Sequence, residues 1–209
     1  MKITVVGTGN MGSAFAKQLS SVGHIVRITG RDIDKAKTLA AQFDNVSAYP
    51  AAKALGDSDV VVVATAYEDA AKALQSLGDL TGKVVIDITN PLSADYMSLT
   101  LGHVTSAGEE IAKAVPQAQV VKAFNTLFAQ VLADGPTFAN DQRGSVFVAS
   151  DSERAKQTAN TLAHSLGWNT VDAGALINAR YLEPLAGLNI YLGYGAGLGT
   201  SIAPAWLNK

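Results

Sequence analysis

Six residues near the amino terminus, Gly7-Thr8-Gly9-Asn10-Met11-Gly12, carry the most specific chemistry in the chain. Their spacing is G-x-G-x-x-G. They follow directly on the β-branched run 3–6 and open a segment in which Met11, Ala14, Phe15, Leu19 and Val22 recur at helical spacing. A strand, a glycine turn and a helix in that order make a seat for a pyrophosphate. Gly7 permits the tight turn, Gly9 lets the backbone approach the phosphates, and Gly12 lets helix and strand pack closely. The helix N-terminus adds unpaired N–H groups and the positive end of its dipole. A dinucleotide is the expected ligand.

The end of the second strand discriminates between dinucleotides. An acid there holds the ribose hydroxyls of NAD, but by spacing the position falls on Gly30, with Arg31 next and Lys35 one helical turn further. A neutral residue beside two cations suits the 2′-phosphate of NADP: Arg pairs with it bidentately and Lys adds a point charge. Thr29 offers a hydroxyl. The rival reading takes Asp32 as the ribose acid, although Asp32 also stands where it would cap the next helix.

Three further strand ends belong to the same edge, because ligands of open α/β sheets lie beyond the carboxyl ends of the strands. They are Thr65-Ala66-Tyr67, Thr89-Asn90-Pro91 and Asn125-Thr126. Asn and Thr can hydrogen-bond a carboxamide or ribose and Pro91 fixes a turn; ordinary turn chemistry explains the same residues equally well. No catalytic acid–base constellation is evident. His24 stands at the turn before the second strand, and His164 lies in a helix beside Ala163. His103, in a loop after the fifth strand, is the histidine with a view of a pocket. Hydride transfer between two bound redox groups needs positioning more than a general base.

The elements that must position these residues alternate. Strands are predicted over 3–6, 25–29, 46–49, 59–64, 84–88, 120–124, 145–149 and 170–171. Helices are predicted from the glycine turn to Val22, over 32–43, 70–77, 152–166 and 183–192, and in a segment ending at Val115; 53–55 is a single helical turn. Gly23 closes the first helix. The valine run at 60–63 is apolar throughout, as in a strand covered on both faces. The alternation predicts an α/β fold with a doubly wound, mostly parallel sheet, the Rossmann architecture. The chain reads as a single domain, 1–209: a dinucleotide-binding core over 1–140, a Pro/Gly/Asn/Asp-rich break at 134–144, and a short βαβα extension over 145–209 that continues the sheet and covers the substrate side.

Composition narrows the function classes. Net charge is −2 with no Lys/Arg run, so there is no electrostatic case for nucleic acid or an anionic membrane. The absence of cysteine removes disulfides, thiolate metal sites and a Cys nucleophile. No metal site is expected. No signal segment opens the chain, and a cytoplasmic location is expected.

Together the segments VVGTGNMGSAFA, TGRDIDKAK, DITNPL, PQAQVVKAFNT and DAGALINARYLEPLA resemble the NADP oxidoreductases dependent on coenzyme F420, an 8-hydroxy-5-deazaflavin, in their bacterial branch. The resemblance runs from Met1 to about Gly199. It implies hydride transfer between NADPH and a deazaflavin or flavin, with NADP as cofactor and coenzyme F420 or a flavin as second redox partner. It places Thr8, Asn10 and Met11 with Gly7, Gly9 and Gly12 under the pyrophosphate, and Arg31 and Lys35 at the 2′-phosphate. Gly30 stands where the family often has Ser or Thr, which passes that hydroxyl contact to Thr29 or loses it. It also brings Tyr67, Asn90 and Pro91 near the nicotinamide and sets Ala123, Phe124 and Asn125 along the face where the second partner stacks. Two other functions remain open: reduction of a small imine or keto acid, and dinucleotide sensing without turnover.

Charge is unevenly spread. From Pro184 to Asn208 no residue is charged. Two prolines, two asparagines and five glycines interrupt the run, which argues against a membrane span. One apolar surface is expected instead, covered by a flat acceptor, a second subunit, or both, and a homodimer through residues 185–198 is predicted.

Overall fold

A computed structural model describes residues 1–207; Asn208 and Lys209, the end of the predicted extension and of the uncharged run, lie outside the described residues. Strands β1 (Lys2–Val6), β2 (Ile25–Thr29), β3 (Val46–Ala48), β4 (Val60–Val63), β5 (Val84–Asp87) and β6 (Gln119–Lys122) form one parallel sheet in the order β3-β2-β1-β4-β5-β6. The winding reverses between β1 and β4. That reversal opens a crevice above the carboxyl ends of the strands, where ligands of such sheets sit.

Helices α1 (Asn10–Ser21), α2 (Ile33–Ala40), α3 (Ala51–Ala54), α4 (Tyr67–Gln75), α5 (Ala107–Ala114), α6 (Ala129–Asp134), α7 (Glu153–Ser165) and α8 (Ala179–Ile190) cover both faces. The period-two geometry of a strand divides the valine run cleanly. Val60 and Val62 join the core beneath Phe15, Leu19 and Trp168, while Val61 and Val63 join the opposite core with Leu74 and Ile111. At roughly 25 cal/mol per Å² of apolar area removed from water, this two-sided burial is the main stabilising contribution.

Local signals placed most boundaries. Gly23, at φ +81°, ends α1: its N–H reaches the Ser20 carbonyl and the His24 N–H reaches Leu19. Asp32 caps α2, its carboxylate accepting from the Asp34 and Lys35 amides at 3.0 and 3.2 Å. α2 stops at Ala40 rather than Phe43, and β6 stops at Lys122, two residues early, because Phe124 turns through φ +59°. His24 is structural: its ring meets the N-terminal amine at 2.9 Å and Ser165 Oγ at 2.9 Å.

The carboxyl-terminal segment departs from expectation in one respect. β7 (Ser145–Val148) and β8 (Asn169–Asp172) make a separate two-stranded parallel sheet, joined to β6 by an antiparallel bridge between Lys122 and Ala149. It adjoins the main sheet instead of extending its parallel ladder. The 134–144 break is a tight loop closed by a Thr137–Arg143 bridge. The tail then folds back on β7: the Ser145 N–H donates to Pro204, and Trp206 packs edge-on against Phe147. No helix among the described residues is long and apolar enough to cross a membrane.

Candidate functional site

The glycine turn owes its shape to close backbone approach. Gly7 has φ +130°, and a Cβ there would lie 2.2 Å from the Ala64 carbonyl oxygen. A Cβ on Gly12 would lie 2.0 Å from the Gly7 carbonyl oxygen. Gly9 differs, because a Cβ on it would meet nothing within 4 Å. Its backbone is ordinary extended chain, so neither sterics nor strain within the protein calls for glycine there. The open space above Gly9 is the volume a phosphate needs. α1 begins at Asn10 with no side chain capping it and no acid in its first turn. Its first amides therefore lack intrahelical partners and face that space with the positive end of the dipole. The seat fits a pyrophosphate.

Beyond β2, Arg31 extends into solvent, its guanidinium 3.2 Å from Asp69 Oδ2 on α4, and Lys35 is exposed on α2. Asp32 is engaged in capping α2, so it is not free to hold a ribose, and among the described residues Lys35 stands without an ion-pair partner beside the Arg31–Asp69 pair. Thr29 is corrected by the structure: it is buried, and its hydroxyl lies away from the surface. Thr8 stands in its place, its side chain 3.1–3.3 Å from where a Gly30 Cβ would be. A hydroxyl therefore does adjoin Gly30, the residue before Arg31, but it comes from the glycine turn.

From the turn a cleft of about 910 Å³ runs along the sheet edge. Gly9, Asn10 and Met11 line one end; Thr65, Ala66 and Tyr67 form one wall; Thr89, Asn90 and Asn125 lie below. Asn125 Nδ2 donates to Asn90 Oδ1 at 3.0 Å and to the Leu182 carbonyl at 3.0 Å, and Asn90 Nδ2 donates to the Asn125 carbonyl at 2.8 Å. These bonds lock the ends of β5 and β6 to α8. Burial, then the charges of Glu110, Glu183, Asp87 and Glu68, push the Tyr67 phenol above its ordinary value and keep it a donor. Pro91 is buried and anchors the following loop, its carbonyl accepting from Thr100. Ala123 and Phe124 are not at the cleft. Both are fully buried, Phe124 edge-on to Phe15 at 5.3 Å, so of the three expected acceptor-facing residues only Asn125 opens onto it.

Sequence reasoning missed the charge cluster beneath this floor. Lys122 Nζ lies 2.6 Å from Asp87 Oδ2 and 2.8 Å from Glu183 Oε1, and donates to the Thr89 carbonyl at 2.8 Å. All three charged side chains are essentially inaccessible. Burial disfavours the ammonium, but the two carboxylates outweigh it and hold Lys122 above the usual lysine value. Glu183 also accepts from the Ala107 and Gly108 amides at 2.9 and 3.0 Å, at the positive end of α5. Asp87 accepts from the Thr89 amide at 2.8 Å. The signal was present: single charges close the apolar strands VVID and VVK, and one acid sits in an apolar helix.

No histidine reaches the cleft among the described residues; His103 is exposed in the loop before α5. Among the described residues no group of acids and histidines is placed to hold a metal ion. The carboxyl-terminal segment does reach it, through Ala186, Asn189, Ile190 and Tyr194.

Comparison with known proteins agrees with this architecture. Residues 2–91 match the family model of coenzyme F420-dependent NADP oxidoreductases. A structure from Arthrobacter sp. FB24, described as an F420-dependent NADP-reductase, superposes with a TM-score of 0.90 at 31% identity, covering 100% of both chains. Metalloreductase STEAP3 of Rattus norvegicus is 29% identical over 185 residues, 88% of this chain and 36% of that protein. The chain thus spans about a third of the length of the curated relatives it matches first. An imine reductase from Pseudomonas sp., at 21% identity and a TM-score of 0.67 over 94% of this chain and 63% of that one, shares the fold. The chain belongs to the family of coenzyme F420-dependent NADP oxidoreductases.

Proposed function

We propose that the protein transfers hydride between NADPH and a flavin-type acceptor, a deazaflavin or a flavin. The observation that carries the reading is the continuity of the seat above Gly9 with the cleft over Asn90 and Asn125, which lets two flat redox groups meet at the switch point of the sheet. When bound, NADPH supplies the hydride. The chain orients the two partners: α1 amides and Thr8 at the phosphates, Arg31 and Lys35 at the 2′-phosphate, Thr65, Ala66, Tyr67, Thr89 and Asn90 around the nicotinamide, with Pro91 anchoring the loop behind them, and Asn125 toward the acceptor. Residues 1–140 hold the dinucleotide, and the 145–209 extension closes the acceptor side through α8.

The test mixes the protein with NADPH and, in turn, F420, FMN, FAD, riboflavin and a small imine and carbonyl panel, following the NADPH absorbance. A ferric or cupric salt added to each flavin covers the activity named for the STEAP relatives. Oxidation of NADPH by a flavin-type ring is expected. Tight NADPH binding with no oxidation by any acceptor would show a sensor instead. Arg31→Ala should raise the Kd for NADPH by roughly ten- to a hundredfold, the worth of one bidentate charged contact, and leave NADH nearly unchanged; equal losses would refute the 2′-phosphate assignment.

The uncharged carboxyl-terminal surface supports a homodimer. Tyr181 and Leu188 are exposed on α8, with Tyr191, Tyr194 and Leu198 exposed beyond its end. So much contiguous apolar surface is unusual on a monomer. Light scattering should give twice the chain mass, and a monomeric mass with cofactor bound would exclude this. A cytoplasmic site of action fits the NADPH requirement.

A further inference from the structure

The face that α8 turns to the cleft is apolar with one exception. Ala186, Asn189 and Ile190 line the cleft and stand three and four residues apart, on one side of the helix. In the uncharged run from Pro184 to Leu198, Asn189 is the one side-chain amide. It is 8% exposed, and its Nδ2 donates to the Thr126 carbonyl at 3.0 Å. A carbonyl can only accept, so the amide nitrogen is fixed on that side and Oδ1 on the other. No donor among the described residues reaches Oδ1, and the atom is not closed off from the cleft.

The Thr126 bond accounts for half of this amide. Tying α8 to the end of β6 needs a donor, which Nδ2 supplies. A free acceptor on an otherwise apolar face adds nothing to that tie and is costly to bury unpaired. The floor beside it is likewise richer in polar atoms than the fold uses: Thr89 Oγ1, Asn125 Oδ1 and Thr126 Oγ1 are buried without hydrogen-bond partners, and all three residues line the cleft. A fixed acceptor with hydroxyls nearby matches an imide edge, an N–H flanked by carbonyl oxygens. The pyrimidine ring of flavins and of deazaflavins carries that edge. The sheet order sets Asn189 apart from the phosphate seat, because it touches the end of β6 at one margin of the sheet, and the glycine turn follows β1, three positions away.

We propose that Asn189 orients the acceptor, its Oδ1 accepting from the imide N–H of a flavin or deazaflavin ring. This rests on the reading that the cleft takes a flavin-type acceptor. A ring held by that edge has one orientation along the cleft, and orientation is what hydride transfer between two bound groups needs. Asn189 takes no part in the hydride step itself.

The full chain, saturated with NADP⁺, is titrated with riboflavin, FMN and F420 and with the N3-methyl derivative of each, following quenching of ring fluorescence. On the unaltered protein, methylation at N3 removes the donor and should weaken binding about three- to tenfold, as expected for one lost hydrogen bond. Asn189→Ala should weaken the unmethylated ring by a similar factor and abolish the methyl penalty, leaving the Kd for NADPH nearly unchanged. A merely structural Asn189 would loosen methylated and unmethylated rings alike and keep the penalty. The methyl comparison on the unaltered protein needs no substitution, so it decides even where the variant unfolds early. A penalty confined to F420 or to the flavins assigns the edge to that ring and supports the proposal. Equal binding of methylated and unmethylated rings, a penalty that survives in Asn189→Ala, or a loss of NADPH affinity as large as the loss of ring affinity would overturn it. If no ring binds while NADPH does, the flavin-type reading itself fails and this proposal fails with it.

Discussion

Lys122→Met should destabilise the fold by about 3–5 kcal/mol, because it leaves the Asp87 and Glu183 carboxylates buried without their counter-charge. For a chain of this size that corresponds to a fall in melting temperature of roughly 10 °C. Methionine fills much of the lysine volume, so the loss reports charge more than packing. Removing a carboxylate as well should recover part of it: Lys122→Met with Asp87→Asn should melt higher than Lys122→Met alone. The Thr89 carbonyl also loses its donor, and the ends of β5 and β6 carry Asn90 and Asn125, so the Kd for NADPH should rise together with the stability loss. A single variant that melts within a degree or two of the parent would show that the cluster does not hold the site together.

The glycine turn yields the second large effect, as a contrast between two positions. Gly12→Ala places a Cβ 2.0 Å from the Gly7 carbonyl oxygen, a backbone atom that cannot rotate away. Helix and strand must separate, at a cost of about 1–3 kcal/mol or more, and NADPH affinity should fall by at least a hundredfold as the phosphate seat is distorted. Gly9→Ala places its Cβ in open space on extended backbone. Its stability should stay within about 0.5 kcal/mol of the parent, yet the methyl occupies the proposed phosphate volume and should weaken NADPH by at least tenfold. Thermal unfolding without ligand, paired with NADPH titration, separates the two. Full NADPH affinity in Gly9→Ala would place the phosphates elsewhere.

Much of this was legible in the residues. Two-sided apolar strands, Gly23 as a helix stop, Asp32 as a cap and the G-x-G-x-x-G turn each depend on interactions within a few residues, so alternation, order and the glycine turn at the start of α1 could be read directly. Strand ends such as Asn90 and Asn125 were also identified, because the carboxyl edge of a parallel sheet follows from topology. Errors arose where neighbours in space decide. Thr29 and Ala123 stand at strand ends as expected, yet their side chains point into the core, and Phe124 follows its left-handed turn inward. Thr8 took over the position expected of Thr29 because the glycine turn folds across Gly30. The antiparallel junction of β6 with β7 likewise depends on where the tail returns.

The sequence by itself determined the Rossmann alternation, the glycine turn and the cations beyond β2, because periodicity, turn sterics and helix ends are local physics. Only the tertiary structure brought Asp87, Lys122 and Glu183 from three distant segments into one buried cluster and left Glu68 and Asp95 as the charged residues lining the cleft. Compensation of a buried charge and the field inside a cleft are sums over neighbours in space, and chain order does not specify those neighbours.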